Sequence, residues 1–275
     1  MRWHMKTCTF TIFNEKGGVG KTSLALSMLS YFNNPEMYSK GLLKKAVAID
    51  MDPKQRSLTY ATRVKPNHTV YDVLVGDVDI NDAVVDSDFG YVIPGSRDLA
   101  LLDSQMNVDE AESEAQRKEF IDNIVILKNK LKELKGFDYV IIDCPPGYEH
   151  IALSCMVAAD YLIIPAKASM LSLFALSSLA PNVAKAREFN PSLKVAGVLL
   201  TQHNDRTNAA QAGREAAEKI AKTHFDAPVF KVAIRNATAV EDSYFMGVPI
   251  FSLPAGTPVR EDYRRFMDEL LEVIG

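Results

Sequence analysis

Cysteine is scarce in this chain, with three among 275 residues, at Cys8, Cys144 and Cys155. Their separations match neither a disulfide framework nor a metal-ligand spacing, which fits a reducing compartment. Cys8 and Cys144 fall at strand positions and read as small core residues. Long apolar runs are also missing. The longest, such as Tyr139 to Ile142, have only strand length, so neither a signal peptide nor a spanning segment is expected. Strong charge of either sign is absent as well: the formal net charge is −4, and nothing in that balance calls for nucleic acid. Any DNA contact would have to come from a local patch, one that dimerisation would double. No Pro-, Gly- or Ser-rich linker divides the chain, so residues 1–275 are read as one domain. With 47% hydrophobic residues it can bury a large core. The expectation is a single-domain cytoplasmic protein.

What is present is an alternation of short β-branched runs and helical patterns. The strand runs are Thr7–Phe13, Ala46–Asp50, Tyr91–Pro94, Tyr139–Asp143, Tyr161–Pro165, Val195–Thr201 and Val229–Ile234. They are apolar on both faces, as in a buried parallel sheet. Helical patterns lie between and after them, at Ser23–Phe32, Glu114–Lys135, His150–Ala158, Leu171–Phe189, Asn208–Thr223 and Val259–Ile274. This order predicts a doubly wound α/β fold, with a mostly parallel sheet and helices on both faces. Short helices are expected to decorate the sheet between Val64 and Glu119. The acidic run Asp109, Glu110, Glu112, Glu114 reads as a solvated helix start.

The segment Lys16-Gly17-Gly18-Val19-Gly20-Lys21-Thr22-Ser23 follows the first strand and opens the first helix. Its glycines let successive backbone N–H groups turn inward around phosphate oxygens. Lys21 can reach terminal phosphates, the Thr22 hydroxyl can ligate Mg²⁺, and the helix N-terminus favours anions. Gly17, Gly18, Val19, Gly20, Lys21, Thr22 and Ser23 are therefore the expected nucleotide-binding residues. The usual pattern has a glycine where this chain has Glu15, and this loop carries a second lysine, Lys16. One γ-phosphate has no room for two lysines. Lys16 is expected at the lip of the pocket, where it can act on nucleotide held by another subunit as an arginine finger does.

Three further stretches belong around that loop. Asp50 ends an apolar strand and Asp52 follows two residues later, so both carboxylates face the ligand edge of an open α/β sheet. Asp143 ends a second such strand, before Pro145, Pro146 and Gly147, and is placed to order Mg²⁺ with Thr22. After two late strands come Thr201-Gln202-His203-Asn204-Asp205-Arg206-Thr207-Asn208 and Ile234-Arg235-Asn236. Asn236 offers the donor–acceptor pair that an adenine edge needs, and it fits a helix cap equally well, as does Asn208.

The run from Asn14 to Thr22 closely resembles the deviant phosphate loop (deviant Walker A) of the ParA/MinD family of P-loop ATPases. The likeness continues through Asp50-Met51-Asp52-Pro53 and Ile142-Asp143-Cys144-Pro145-Pro146 to the C-terminal helix. It is strongest for the short partition ATPases, which lack an operator-reading extension. That resemblance implies ATP and Mg²⁺ as cofactors and an ATP-dependent homodimer in which Lys16 crosses to the partner's nucleotide. It implies that Asp52 orients the attacking water and that Asp50 stands near the magnesium shell. It further implies slow hydrolysis without a small ParB-like stimulating partner, non-specific DNA binding through Arg206, and nucleoid association. Two positions depart from the family pattern: Lys54 stands where a glutamine is usual, with Gln55 after it, and Thr238 replaces an arginine of the DNA surface. Arg214, Lys219 and Lys222 can compensate on that surface, or simply solvate a helix.

Rival readings are weighed from residues. A membrane-bound relative needs a basic amphipathic C-terminal helix. Here Arg260, Arg264 and Arg265 face five acids, Glu261, Asp262, Asp268, Glu269 and Glu272, so a helix docked on the core and no membrane partner are expected. A cluster-bearing iron protein would need differently placed cysteines. An ATP-gated adaptor that binds no DNA stays open.

Overall fold

The computed structural model describes residues 7–34, 44–105, 113–147, 150–167, 169–203 and 208–275. Arg206 and the acids Asp109, Glu110 and Glu112 lie outside the described residues. In chain order the elements begin with β1 (Cys8–Ile12), α1 (Lys21–Phe32), β2 (Ala46–Asp50), α2 (Ser57–Ala61) and α3 (Val70–Val75). A hairpin of β3 (Val85–Ser87) and β4 (Gly90–Ile93) follows, then α4 (Leu99–Gln105), α5 (Glu114–Leu131), β5 (Tyr139–Asp143) and α6 (His150–Ala158). The last part contains β6 (Tyr161–Lys167), α7 (Met170–Ser177), α8 (Ala180–Phe189), β7 (Lys194–His203) and α9 (Asn208–Phe225). It ends with β8 (Val229–Arg235), α10 (Thr238–Met246), a 3₁₀ turn (Ile250–Ser252) and α11 (Pro258–Ile274).

The strands form one sheet in the order β3-β4-β2-β5-β1-β6-β7-β8. The described pairings are parallel except for β3 with β4. Strand periodicity of two feeds two cores. On β5, Val140 and Ile142 pack into a core that includes residues of α5 and α6. Tyr139 and Ile141 pack with α1 and α11 on the other face. This is the doubly wound layout that the alternation predicts. It places the ends of β1, β2 and β5 side by side, with Ile12 opposite Asp143 and Asp143 opposite Asp50.

Helix α1 has ten buried residues, including Leu24, Leu26, Met28 and Leu29, so it runs sandwiched between the sheet and α11. It starts at Lys21, two residues earlier than the periodicity suggests. Gly20, at φ 91°, turns the chain so sharply that the lysine and threonine of the loop become its first turn. The helical pattern from Leu171 to Phe189 is two helices. Pro181 can give no N–H back to Ser177 and its ring crowds that carbonyl, so α7 ends there and α8 begins anew. The expected helix to Lys135 instead ends at Leu131, followed by three i−3 bonds from Lys132, Glu133 and Leu134 and a left-handed Gly136. Strand β3 gives no signal in the sequence because three residues are too few for a period.

Helix α11 buries Val259, Tyr263, Phe266, Met267 and Leu270, as the expected docking on the core requires. Each such side chain contributes about 1.5–3 kcal/mol of transfer free energy on burial. Among the described residues, no helix is long and apolar enough to cross a membrane.

Candidate functional site

The loop between β1 and α1 is braced before it is functional. Asn14 is buried; its amide donates to Pro165 O at 2.8 Å, and its Oδ1 accepts the Lys16 N–H at 2.9 Å. Gly18 and Gly20 both hold positive φ, 69° and 91°, which a side chain would strain. From the carboxyl end of β7, two strands away, Thr201 Oγ1 donates to Val19 O at 2.8 Å and Gln202 Nε2 donates to Gly18 O at 2.9 Å. With carbonyls of the loop held outward in this way, the next amides are left for a ligand. Glu15, the residue that breaks the usual motif, does not crowd the loop. Its carboxylate accepts from Asn182 on α8, and its carbonyl accepts the Gly147 N–H at 2.8 Å.

The two lysines diverge. Lys21 is buried, and Nζ donates to Asn14 O at 2.8 Å and Lys16 O at 3.1 Å. Burial pulls its pKa down, while Cys144, Asp143 and Asp52 push it back up. Lys16 is exposed, and its Nζ donates to Ser172 Oγ on α7 at 3.1 Å. Of these two, Lys21 lines the cleft beside the loop and Lys16 does not.

That cleft holds about 470 Å³, and its walls include Gly18, Lys21, Thr22, Asp52, Gln55 and Lys167. Asp143 lies buried at the end of β5, close to Thr22 and Lys21, and its Oδ1 has no partner. Burial, with the Asp50 carboxylate adding to it, pushes the Asp143 pKa up to about 8 against the pull of Thr22 and Lys21. An orphaned oxygen next to a threonine hydroxyl is a donor set that fits a hard divalent cation. Among the described residues, no three His, Cys, Asp or Glu side chains gather into a metal cage. The unpartnered Asp143 oxygen beside Thr22 suits Mg²⁺, which takes one or two carboxylates and completes its shell with water and phosphate.

Asp50 and Asp52 are used differently. Asp52 is 7% exposed and lines the cleft, while its Oδ1 accepts the amides of Lys54 and Gln55 at 2.8 and 3.0 Å. Lys54 enters this turn through its backbone, and its side chain is exposed; Gln55 is the one that lines the cleft. Asp50 is fully buried, and its oxygens accept from Asp52 and Thr59.

A smaller recess of about 70 Å³ adjoins the cleft and shares Gly20, Ser23, Gln202 and Glu241 with it; Asn236 lines this recess. The N-cap of α10 is Ala237, so Asn236 does not cap that helix. Cleft-lining residues not assigned from the sequence include Gln55, Lys167, Glu241 and Tyr244. Lys167 was missed because β6 runs two residues past Pro165. Tyr244 donates to Ser23 O at 2.8 Å across 221 residues of chain, a closeness that no local pattern encodes.

The expected basic surface is partly consumed. Arg214 donates to Phe230 O at 2.9 Å and Lys231 O at 3.1 Å, and Lys222 pairs with Asp226. Lys219 is exposed.

The sequence and the fold each have known counterparts. A family model described as an AAA domain matches residues 7–195. The chromosome-partitioning ATPase Soj of Treponema pallidum is 28% identical over 267 residues, covering 96% of each chain. An ATP complex of a Cyanothece McdA variant superposes with a TM-score of 0.77 at 23% identity, covering 98% of this chain and 96% of that one. Cobyrinic acid a,c-diamide synthase from Mycobacterium smegmatis, with bound ADP and magnesium, gives 0.72 at 26% identity, covering 97% and 94%.

Proposed function

The chain belongs to the ParA/MinD family of P-loop ATPases, and from that premise we propose that it is a Mg²⁺-dependent ATPase switch that dimerises around two ATP molecules and separates after hydrolysis. The observation that carries this reading is the divergence of the two loop lysines, Lys21 inside the cleft and Lys16 outside it. Lys21 and the amides of Gly17 to Ser23 hold the phosphates. Thr22 and Asp143 would hold Mg²⁺, and the bound ion would supply charge neutralisation on the nucleotide phosphates. Asp52 orients the water, and Asn236 in the adjoining recess recognises the base. Lys16 leaves Ser172 to reach nucleotide on a second copy, a role worth about 10³–10⁵ in rate for comparable groups supplied in trans. Without a small ParB-like partner the turnover is slow.

The output we infer is partition of plasmid or chromosomal DNA, or positioning of another cargo, with non-specific DNA as the matrix and the dimer associated with the nucleoid; the chromosome-partitioning relative supports the first. The docked and acidic α11 supports a mode without a membrane. One observation favours a second reading, an ATP-gated adaptor that binds no DNA. Arg214 and Lys222, both assigned to DNA, are engaged within the protein.

Retention on non-specific DNA separates the two readings. ATP-dependent, salt-sensitive retention is expected for the partition switch, and its absence at low salt would leave the adaptor. Light scattering in Mg-ATP tests the dimer: Asp52→Ala should accumulate as a dimer. A Lys16→Ala protein that dimerises and hydrolyses ATP normally would overturn the trans role.

A further inference from the structure

The Asp50 carboxylate is reached by donors from the two ends of one loop. Oδ1 accepts the Asp52 N–H at 3.1 Å. Oδ2 accepts both the N–H and the hydroxyl of Thr59, at 2.8 and 2.7 Å. Asp52 begins the loop and Thr59 lies in the short helix α2 that ends it, so a single buried side chain closes the segment 52–59 on itself. The closure is tied to the sheet as well: Thr59 Oγ1 accepts the Gly95 N–H at 2.9 Å, just past β4. Gly95 has to be glycine for this approach, since a Cβ there would stand 2.9 Å from Asp50 O and 3.0 Å from its Cγ. Between the two fixed ends the Asp52 side chain holds Lys54 and Gln55, and Arg56, at φ 48°, turns the chain into α2.

A metal ligand keeps a lone pair free for the ion, as the unpartnered Asp143 Oδ1 does, whereas both Asp50 oxygens are taken by three protein donors. We propose that Asp50 and Thr59 are positioning residues, a clamp that fixes the Asp52 loop in the geometry needed to orient water, and that Asp50 is not a magnesium ligand. The inference rests on Asp52 acting in hydrolysis, as proposed above. It assigns the two aspartates two distinct tasks: Asp52 meets the reacting water, and Asp50 holds Asp52.

Thr59→Val keeps the N–H and nearly the same volume but removes the hydroxyl, while Thr59→Ser keeps the hydroxyl. With Thr59→Val, kcat should fall about tenfold to a hundredfold, the scale of a misplaced reacting group, with half-saturating ATP and Mg²⁺ unchanged. Thr59→Ser should restore most of the rate, and Asp50→Asn should repeat the loss, again without moving the Mg²⁺ dependence. Thr59→Ala serves if the valine variant does not fold. Hydrogen–deuterium exchange reads the clamp without turnover: amides of residues 52–56 should exchange several-fold faster in Thr59→Val and Asp50→Asn than in the wild type or Thr59→Ser. Wild-type kcat and exchange in Thr59→Val, or a raised Mg²⁺ requirement seen with Asp50→Asn alone, would overturn the proposal. A wild-type chain that hydrolyses no ATP would instead sink the ATPase reading, and the exchange experiment would still decide the clamp.

Discussion

At the carboxyl ends of β1, β2 and β5, buried ionisable groups are left incompletely partnered. Along the outer edge of β8, charge is spent on the protein itself. In the first region Lys21 rests on two carbonyls, and Asp143 keeps an oxygen with no partner. In the second, Arg235 grips Asp262 through Nε at 2.6 Å and Nη2 at 2.7 Å. Glu269 takes the amides of Lys231 and Val232, and Arg214 takes the carbonyls of Phe230 and Lys231. These contacts occupy backbone groups that an exposed sheet edge would offer to another strand. The contrast teaches what each kind of charge is for. A buried ionisable group with an open valence is held at a cost to the free fold and is a candidate for a ligand; a paired one is already committed to the protein.

Three measurements test that contrast. The largest effect is expected at Lys21: Lys21→Ala should lower ATP hydrolysis by about 10²–10³ or more while the free chain melts nearly as before. An equal loss of stability and activity would erase the distinction between the two regions.

Next is the pH dependence of the free chain. With its pKa raised to about 8, Asp143 is protonated in the folded state at neutrality and ionised in the unfolded state. Its contribution to stability is full below the unfolded value and is lost as pH rises through the folded one. Urea midpoints of the free wild type should therefore carry a falling component between about pH 4 and 8, and Asp143→Asn should remove it. Mg²⁺ with ADP should add more stability at high than at low pH within that window, and only in the wild type.

The smallest effect is at the paired edge. Asp262→Asn should cost about 1–3 kcal/mol in denaturant unfolding, the worth of a hydrogen bond to a charged group, and leave kcat unchanged. A loss of hydrolysis there would show that the edge is coupled to the site.

Much of this was legible along the chain because the determining interactions are local. The glycine spacing, Lys21 and Thr22 specify a phosphate loop through backbone conformation and short reach. That Asp52 and Asp143 stand at one edge was readable because strand ends in a doubly wound sheet share it. What escaped reading depends on contacts between distant segments. The sequence puts Asp50 and Asp52 in like positions, and only the arrival of Thr59 and Gly95 separates their roles. Arg214 reads as a surface cation on α9 until the outer edge of β8 is seen beside it. The single helix expected across Leu171 to Phe189 was a misreading of information that the chain does carry, in Pro181.

Sequence by itself determined the fold class, the phosphate loop and the edge at which chemistry gathers, since periodicity, glycine conformation and strand ends are properties of short segments. Tertiary structure alone decided which charged groups are spent and which are open. Whether a carboxylate or guanidinium has a partner depends on donors and acceptors brought in from far along the chain, and on the burial that makes an open valence costly. By that criterion Lys21 and Asp143 are open to a ligand, while Asp50 and Arg214 serve the fold that holds them.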